Sequence, residues 1–412
     1  MSAAPLHDYD VVIAGGGMVG ASLALALAPL PLRTLVVEAT PPADDAQPSY
    51  DDRATAISES SRRILECIGC WSALGGSAEP IREVHVSERG AFGAARLRAA
   101  EQGLRSFGHV VENRALGRAL WERIRASTTL EAWSPARVVS VSQDESTALV
   151  GVARDGEAPL EVRARLLVAA DGARSPVREM AGIGHDVRDY GQTAVIANVT
   201  PAVDHGGTAF ERFTASGPLA VLPLTRGRVT VVWTLSPERA AEVMALDDAQ
   251  FLAQLQAAFG YRLGGLRKTG GRACYPLSLV QAQAWHAGRV LLVGNAAHGI
   301  HPVAGQGFNL GLRDAAALAE LAARQGAAGD PGAESLREEY AEWREADRAR
   351  TVRDTDGLVQ LFGSAMAPVR AGRRLGLVGL DLLPAARGMV ARRGMGLAGR
   401  LPRMALGRGL QP

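Results

Sequence analysis

Residues 9–38 read YDVVIAGGGMVGASLALALAPLPLRTLVVE. Residues 9–14 form a short apolar strand, 15–20 a glycine turn, 21–28 an Ala/Leu-rich helix, and 33–38 a second apolar strand. Both strands are unbroken apolar runs, as strands of a parallel sheet buried on two faces must be. Gly15, Gly17 and Gly20 fall on the spacing G-x-G-x-x-G, and Glu38 closes the second strand. Strand before, helix after and acid at the next strand end together mark a dinucleotide-binding turn rather than a merely glycine-rich one. Gly15 permits the tight turn. Gly17 lets a diphosphate approach the backbone beside Met18 and Val19, and Gly20 lets the helix lie against the strand. The free N–H groups and positive dipole end of the helix attract phosphates, and Glu38 can accept from ribose hydroxyls. The turn alone does not separate NAD from FAD.

Within residues 11–32 only Ser22 is polar, so the run imitates a signal peptide or a membrane span. Asp8 and Asp10 precede it where a signal peptide is basic, and three consecutive glycines and two prolines interrupt it. With 412 residues and 47% hydrophobic composition the chain builds a large core in two joined domains. A net charge of +2 gives no reason to expect nucleic acid. Three cysteines make no disulfide framework and fit a reducing compartment, so a cytoplasmic protein is expected. Cys67-x-x-Cys70 has no second pair and no histidine cluster, so no metal is expected; both are read as buried helix cysteines. Residues 365–412 hold nine arginines against Asp381, a net +8, leaving −6 elsewhere. That basic, Leu/Met/Val-rich tail either lies on an anionic membrane surface or packs as a solvated helix pair.

Further along, residues 41–50 are a polar loop, 53–71 a helix and 116–126 another. Short strands are expected at 137–141, 147–152, 160–163 and 165–170. The last runs into Asp171-Gly172-Ala173-Arg174-Ser175, where the acid serves either a ligand or a helix cap. From 190 to 235 alternation indicates an antiparallel sheet, followed by a helix at 247–259. A last apolar strand, 289–294, opens Gly294-Asn295-Ala296-Ala297-His298, then Pro302, Gly305-Gln306-Gly307, Asn309 and Asp314 at the start of a helix over 306–324. Such a strand–turn–helix offers a polar side chain to a polyol and backbone N–H groups to a flat anionic ring, worth roughly 0.3–2 kcal/mol. A second helix covers 335–362.

The three motifs, in this order, resemble the FAD-dependent aromatic hydroxylases (group A flavoprotein monooxygenases). The fold implied is α/β: a Rossmann-like FAD-binding domain of the p-hydroxybenzoate hydroxylase type with an inserted antiparallel-sheet substrate domain. The expected FAD-binding parts are 1–80, 108–180 and 286–362. Strands in 81–107 join the substrate domain of 181–285, and 363–412 is a basic amphipathic helical segment. The resemblance assigns cofactor contacts to Gly15, Gly17, Met18, Val19, Gly20, Glu38, Arg53, Asn113, Val139, Asp171, Asn295, Pro302, Gly305, Gln306, Gly307 and Asn309. Where the family usually has Gly-Asp, this chain has Gly294-Asn295. GNAAHGIHPVAGQGFNLGLRDAAALAEL, GGTAFERFTASGPLAVLPL and RRLGLVGLDLLPAARGMVARRGMGLAG are similar to the ubiquinone-biosynthesis hydroxylases. That likeness implies NAD(P)H and O2 as co-substrates, oxygen transfer from flavin C4a, and a polyprenylated phenol drawn from the inner membrane surface. Other enzymes of quinone biosynthesis are implied as partners. No catalytic side chain is assigned; His298 and His301 are candidate bases or loop histidines with backbone partners. The alternatives are a sister hydroxylase acting at another ring position, and a flavin reductase or accessory flavoprotein. The halogenase run W-x-W-x-I-P does not occur.

Overall fold

The computed structural model describes residues 7–41, 53–91, 93–154, 156–301, 303–326, 328–364 and 366–410. The strand His7–Ala14 lies between Thr34–Val37 and Leu160–Ala169 and runs parallel to both. Leu130–Trp133 and Val290–Leu292 extend this sheet at its two sides, again in parallel. Val12, Ile13, Leu35, Val36, Leu167 and Leu291 have no solvent exposure, as continuous apolar strands covered on both faces require. The helix Met18–Leu27 packs against Asn113–Ala126 and Gln306–Gln325. Gly311 makes that last crossing possible: a Cβ there would stand 2.9 Å from Val19 Cγ2 and 3.0 Å from the Cα of Gly294.

A second sheet of eight strands runs His298–Gly299, Leu266–Ala282, His185–Pro201, Arg228–Leu235, Gly217–Leu224, Thr208–Thr214, Glu83–Glu88, Ala94–Arg98. All neighbours are antiparallel except Thr208–Thr214 with Glu83–Glu88. One face is covered by the helices Pro237–Met244 and Asp248–Phe259 over a core that includes Trp233, Phe251 and Phe259. A small third sheet, Ala54–Ser58 with Gly108–Glu112 and Ala78–Pro80, joins the two halves. The chain ends in the long helix Glu334–Gly363 and two further helices, Ala367–Leu382 and Pro384–Gly394.

Several local readings are corrected. The helix expected over 53–71 is a strand, Ala54–Ser58, followed by a helix, Glu59–Cys67. Ser58 marks the change: its side chain accepts from Ser61 N, the capping bond that starts a helix, while Thr55 and Ile57 suit a strand. Cys70 therefore lies beyond the helix, after Gly69 at φ 73°; it is buried and Cys67 half-buried. The two strands expected between 160 and 170 are one, Leu160–Ala169. The seventeen-residue strand Leu266–Ala282 was not legible, because Gly270, Gly271 and Pro276 break the alternation and its pairing carries register shifts. Apart from Pro41, the loop at 41–50 lies outside the described residues, as does Pro302.

Beneath the third motif is a buried ionic cluster, with Asp314, His298 and Arg344 wholly shielded from solvent. Asp314 accepts from Gly294 N at 3.0 Å, pairs with His298 Nε2 at 2.6 Å and takes Arg344 Nε at 2.7 Å. Asp347 receives Arg344 Nη2 at 2.7 Å and Arg313 Nε at 2.8 Å. Burial alone would raise the pKa of Asp314, but His298 and Arg344 outweigh it and hold the carboxyl below its usual range.

Candidate functional site: a two-ended cavity

The two sheets enclose one cavity of ≈ 1480 Å³. One end is polar and lined by the glycine turn. Gly15, at φ 101°, abuts the chain at Ala170, where a Cβ would lie 2.6 Å from the carbonyl oxygen. Gly20 packs the helix onto the turn, since its Cβ would lie 1.9 Å from the Gly15 oxygen. Gly16, which the motif leaves free, is also sterically required: a Cβ would meet Trp121 Cζ2 at 2.5 Å. Trp121 Nε1 donates to the Gly16 carbonyl at 3.0 Å and braces the turn from behind. Glu38 accepts from Gly16 N at 2.5 Å and Thr40 N at 2.8 Å. Burial raises its pKa, against the lowering effect of these bonds.

Two helices point their N-termini into this cavity. Gly17 caps Met18–Leu27 and Gly305, at φ 61°, caps Gln306–Gln325. Neither cap has a side-chain hydrogen bond, and neither first turn holds an acid. Gly17, Met18 and Val19 line the cavity from one helix and Gly305, Gln306 and Gly307 from the other. Two uncapped positive helix ends on one void suit an anionic, elongated ligand.

Glu38, Arg53, Asn113, Asp171, Asn295 and Asn309 also line it. Asp171 Oδ2 accepts from Val177 N at 3.1 Å, while its Oδ1 is buried without a partner among the described residues. Ser175 caps the short helix Pro176–Met180 through Arg178 N, and Asp171 shares in that helix start through Val177 N while still lining the cavity. Arg53 lies over the Tyr275 ring at 4.5 Å, and Asn113 takes the Thr55 hydroxyl at 2.6 Å. Asn309 is a positioning residue: it accepts from Ser58 N at 2.9 Å and donates to Ala56 O at 2.8 Å and Gly305 O at 2.7 Å. It thus staples the loop to the strand beneath. Asn295 presents its side chain to the cavity, exposed.

Two readings change. Val139 is 41% exposed and does not line the cavity, whereas Ala136, Arg137 and Val138 of the same strand do. Neither candidate histidine lines the cavity. His298 is sealed against Asp314. His301 Nδ1 accepts from Val303 N, its Nε2 faces Gln192 Oε1 at 3.3 Å, and burial pushes its pKa down to about 4. His298, in the short strand His298–Gly299, and His301, in the loop after it, are each held by partners.

The residues fit a flavin dinucleotide. The turn at Gly15–Met18 admits a diphosphate, Glu38 and Asn295 offer groups for hydroxyls, and the Gly305–Gly307 backbone admits a flat ring. The other end of the cavity is apolar, lined by Val84, Leu97, Ile196, Phe213, Leu222, Val232, Leu277, Leu361, Phe362 and Leu377. Among the described residues no group of His, Cys, Asp or Glu is placed to hold a metal ion.

The profile of the FAD binding domain family matches residues 8–355. The chain is 40% identical over 389 residues to ubiquinone hydroxylase UbiL of Rhodospirillum rubrum, covering 94% of this chain and 89% of that protein. It is 34% identical to the 3-demethoxyubiquinol 3-hydroxylase of Escherichia coli K12, covering 90% and 94%. The p-nitrophenol 4-monooxygenase PnpA from Pseudomonas putida DLL-E4 shares the fold at TM-score 0.79 and 21% identity, covering 96% of this chain and all of that one. Uncapped helix ends, paired glycine turns and family profile converge on one assignment: the chain belongs to the FAD-binding domain family, with the p-hydroxybenzoate hydroxylase fold and FAD as its cofactor.

Proposed function

We propose that this chain is an FAD-dependent monooxygenase that hydroxylates the aromatic ring of a polyprenylated phenol in ubiquinone biosynthesis, using NAD(P)H and O2. The observation that carries the reading is the continuity of the cavity, which runs from the phosphate-binding helix end past the Gly305–Gly307 turn into an apolar chamber. Bound FAD would accept electrons from NAD(P)H and activate O2 for insertion of one oxygen atom into the ring. The backbone at Gly15, Gly17 and Met18 would hold the diphosphate, and Glu38 and Asn295 the hydroxyls of the two sugar-like units. The apolar chamber would orient the phenol and exclude water. The names of the curated relatives support the pathway, and the apolar chamber supports a substrate with an isoprenoid tail.

The C-terminal helices support work at a membrane surface. Leu375, Leu382, Leu383 and Met389 are 73%, 71%, 59% and 62% exposed, among arginines of the basic tail. Leu377, Leu380 and Val390 of the same helices line the cavity, so the exposed apolar face adjoins the chamber. No helix among the described residues is long and apolar enough to cross a membrane. The test is turnover of purified, FAD-loaded protein with NAD(P)H and prenylated phenols in liposomes. A product one oxygen atom heavier is expected; FAD-loaded protein that oxidises NAD(P)H without oxygenating any prenylphenol would refute the reading.

A further inference from the structure

The apolar chamber contains one carboxyl that no neighbour explains. Glu211 sits in the middle of the strand Thr208–Thr214, where alternation places it on the cavity face with Ala209 and Phe213. Its row across the sheet reads Val86, Glu211, Ala220, Val232, Ile196, Ala273, strand by strand in register. Every other member of that row is apolar. Phe213, two residues on, stacks on Phe362 with ring centroids 3.4 Å apart and planes 10° from parallel, walling that side. Glu211 Oε1 is buried and has no hydrogen-bond partner among the described residues. A buried unpaired carboxyl costs stability, so its place in an apolar row needs a ligand that completes it.

We infer that Glu211 accepts the hydrogen bond of the substrate's phenolic hydroxyl and takes its proton. This rests on the hydroxylase reading above. The phenolic O–H bond breaks, the proton joins the carboxylate oxygen, and the bonding pair stays on the phenolic oxygen. A neutral acid and a phenolate result, and the ring becomes more electron-rich toward an electrophilic oxygen. Burial raises the Glu211 pKa to about 7, which makes it a stronger base than an ordinary carboxylate while leaving it ionised at mildly alkaline pH.

The surrounding charges are engaged elsewhere. On the adjoining strand Glu88 is held by Arg373 at 2.6 Å and Arg374 at 3.5 Å from the helix Ala367–Leu382. Arg53 lies over Tyr275. On the strands' opposite face stand His85, which burial keeps neutral with a pKa of about 4, and Arg212; Arg262 and Arg96 are near them.

The probe is 4-heptylphenol, added to FAD-loaded wild type, Glu211→Gln and Glu211→Asp. Wild type should bind more tightly as pH rises through about 7, because a carboxylate accepts the phenol hydrogen bond better than a carboxylic acid does. Glu211→Gln should bind weakly with no such pH dependence and hydroxylate at least ~10²-fold more slowly, with FAD content unchanged; Glu211→Asp should keep the pH limb. Glu211→Gln matching wild type in phenol affinity and rate across pH would overturn the inference. Wild type that binds phenol with this pH dependence yet never oxygenates it would sink the hydroxylase reading and still support the carboxylate's role.

Discussion

Replacing Gly20 by alanine tests the geometry on which cofactor binding depends. The added methyl would stand 1.9 Å from the Gly15 carbonyl oxygen and 3.1 Å from Ala170 Cβ. Contacts under 3.0 Å are not tolerated, so helix and turn must separate by about 1 Å. Overpacking of this kind costs about 1–3 kcal/mol. Alanine returns up to about 1 kcal/mol through its better helix propensity, so the net loss of folding stability is about 0–2 kcal/mol. Cofactor binding suffers more, because the Met18–Leu27 N-terminus is displaced from the diphosphate. Its dipole contributes up to about 2 kcal/mol, and each 1.4 kcal/mol is tenfold in affinity, so the FAD dissociation constant should rise by up to about thirtyfold. The assay is FAD titration of apoprotein by fluorescence, beside thermal melting. Gly379→Ala, where a Cβ meets no atom within 4 Å, is the control and should stabilise by about 0.5–1 kcal/mol without touching FAD affinity. Gly20→Ala that binds FAD like wild type and melts like the control would refute the tight-turn reading.

Asp314→Ala should cost about 3–5 kcal/mol, because it strips a buried guanidinium, an imidazole and the Gly294 N–H of their acceptor; urea unfolding at pH 7 measures it. Asp314 and Asp347 both have lowered pKa values, so their stabilising effect is present above the ordinary carboxylate pKa and lost as pH falls below it. The mutant's deficit should therefore shrink in strong acid, and a deficit constant with pH would contradict that linkage. Glu211 has the opposite sign: its raised pKa makes wild type lose stability relative to Glu211→Gln as pH climbs from about 4.5 to about 7, readable in melting curves. Asn295→Asp should leave stability within about 0.5 kcal/mol and lower the flavin's reduction potential, measured by dye titration, because it adds negative charge to the cavity that would hold a flavin becoming anionic on reduction. Leu375→Glu with Leu382→Glu should weaken cosedimentation with anionic liposomes while FAD content stays unchanged.

The first parallel strands, the glycine turn and the flavin loop were legible because each rests on local pattern: apolar runs, a fixed glycine spacing and a helix start. The strand Ala54–Ser58 was hidden since a serine-capped helix follows it without a break, and the two readings share their residues until Ser58. Leu266–Ala282 escaped because its strand character comes from pairing along His185–Pro201, which no local alternation reports. Of the expected cofactor residues, Val139 lies off the cavity, one position beyond Val138, and the steric need for glycine at Gly16 was not legible because it comes from Trp121, far along the chain. The signal for Glu211 was present as a lone acid in TAFERF, in phase with Ala209 and Phe213, but its meaning depends on the apolar neighbours that five other strands supply. Asp314 was legible as a motif member; that it serves the loop from behind required the long helix bearing Arg344.

That last arrangement separates shape from chemistry in the flavin loop. The bend at Gly294, φ 58°, is anchored from the interior by a carboxylate twenty positions downstream and does not rely on the next side chain. Residue 295 is consequently at liberty to change between acid and amide without loosening the scaffold that carries it. An exchange of Asn295 for an acid would therefore alter the charge lining the cavity while the turn that presents it keeps its shape.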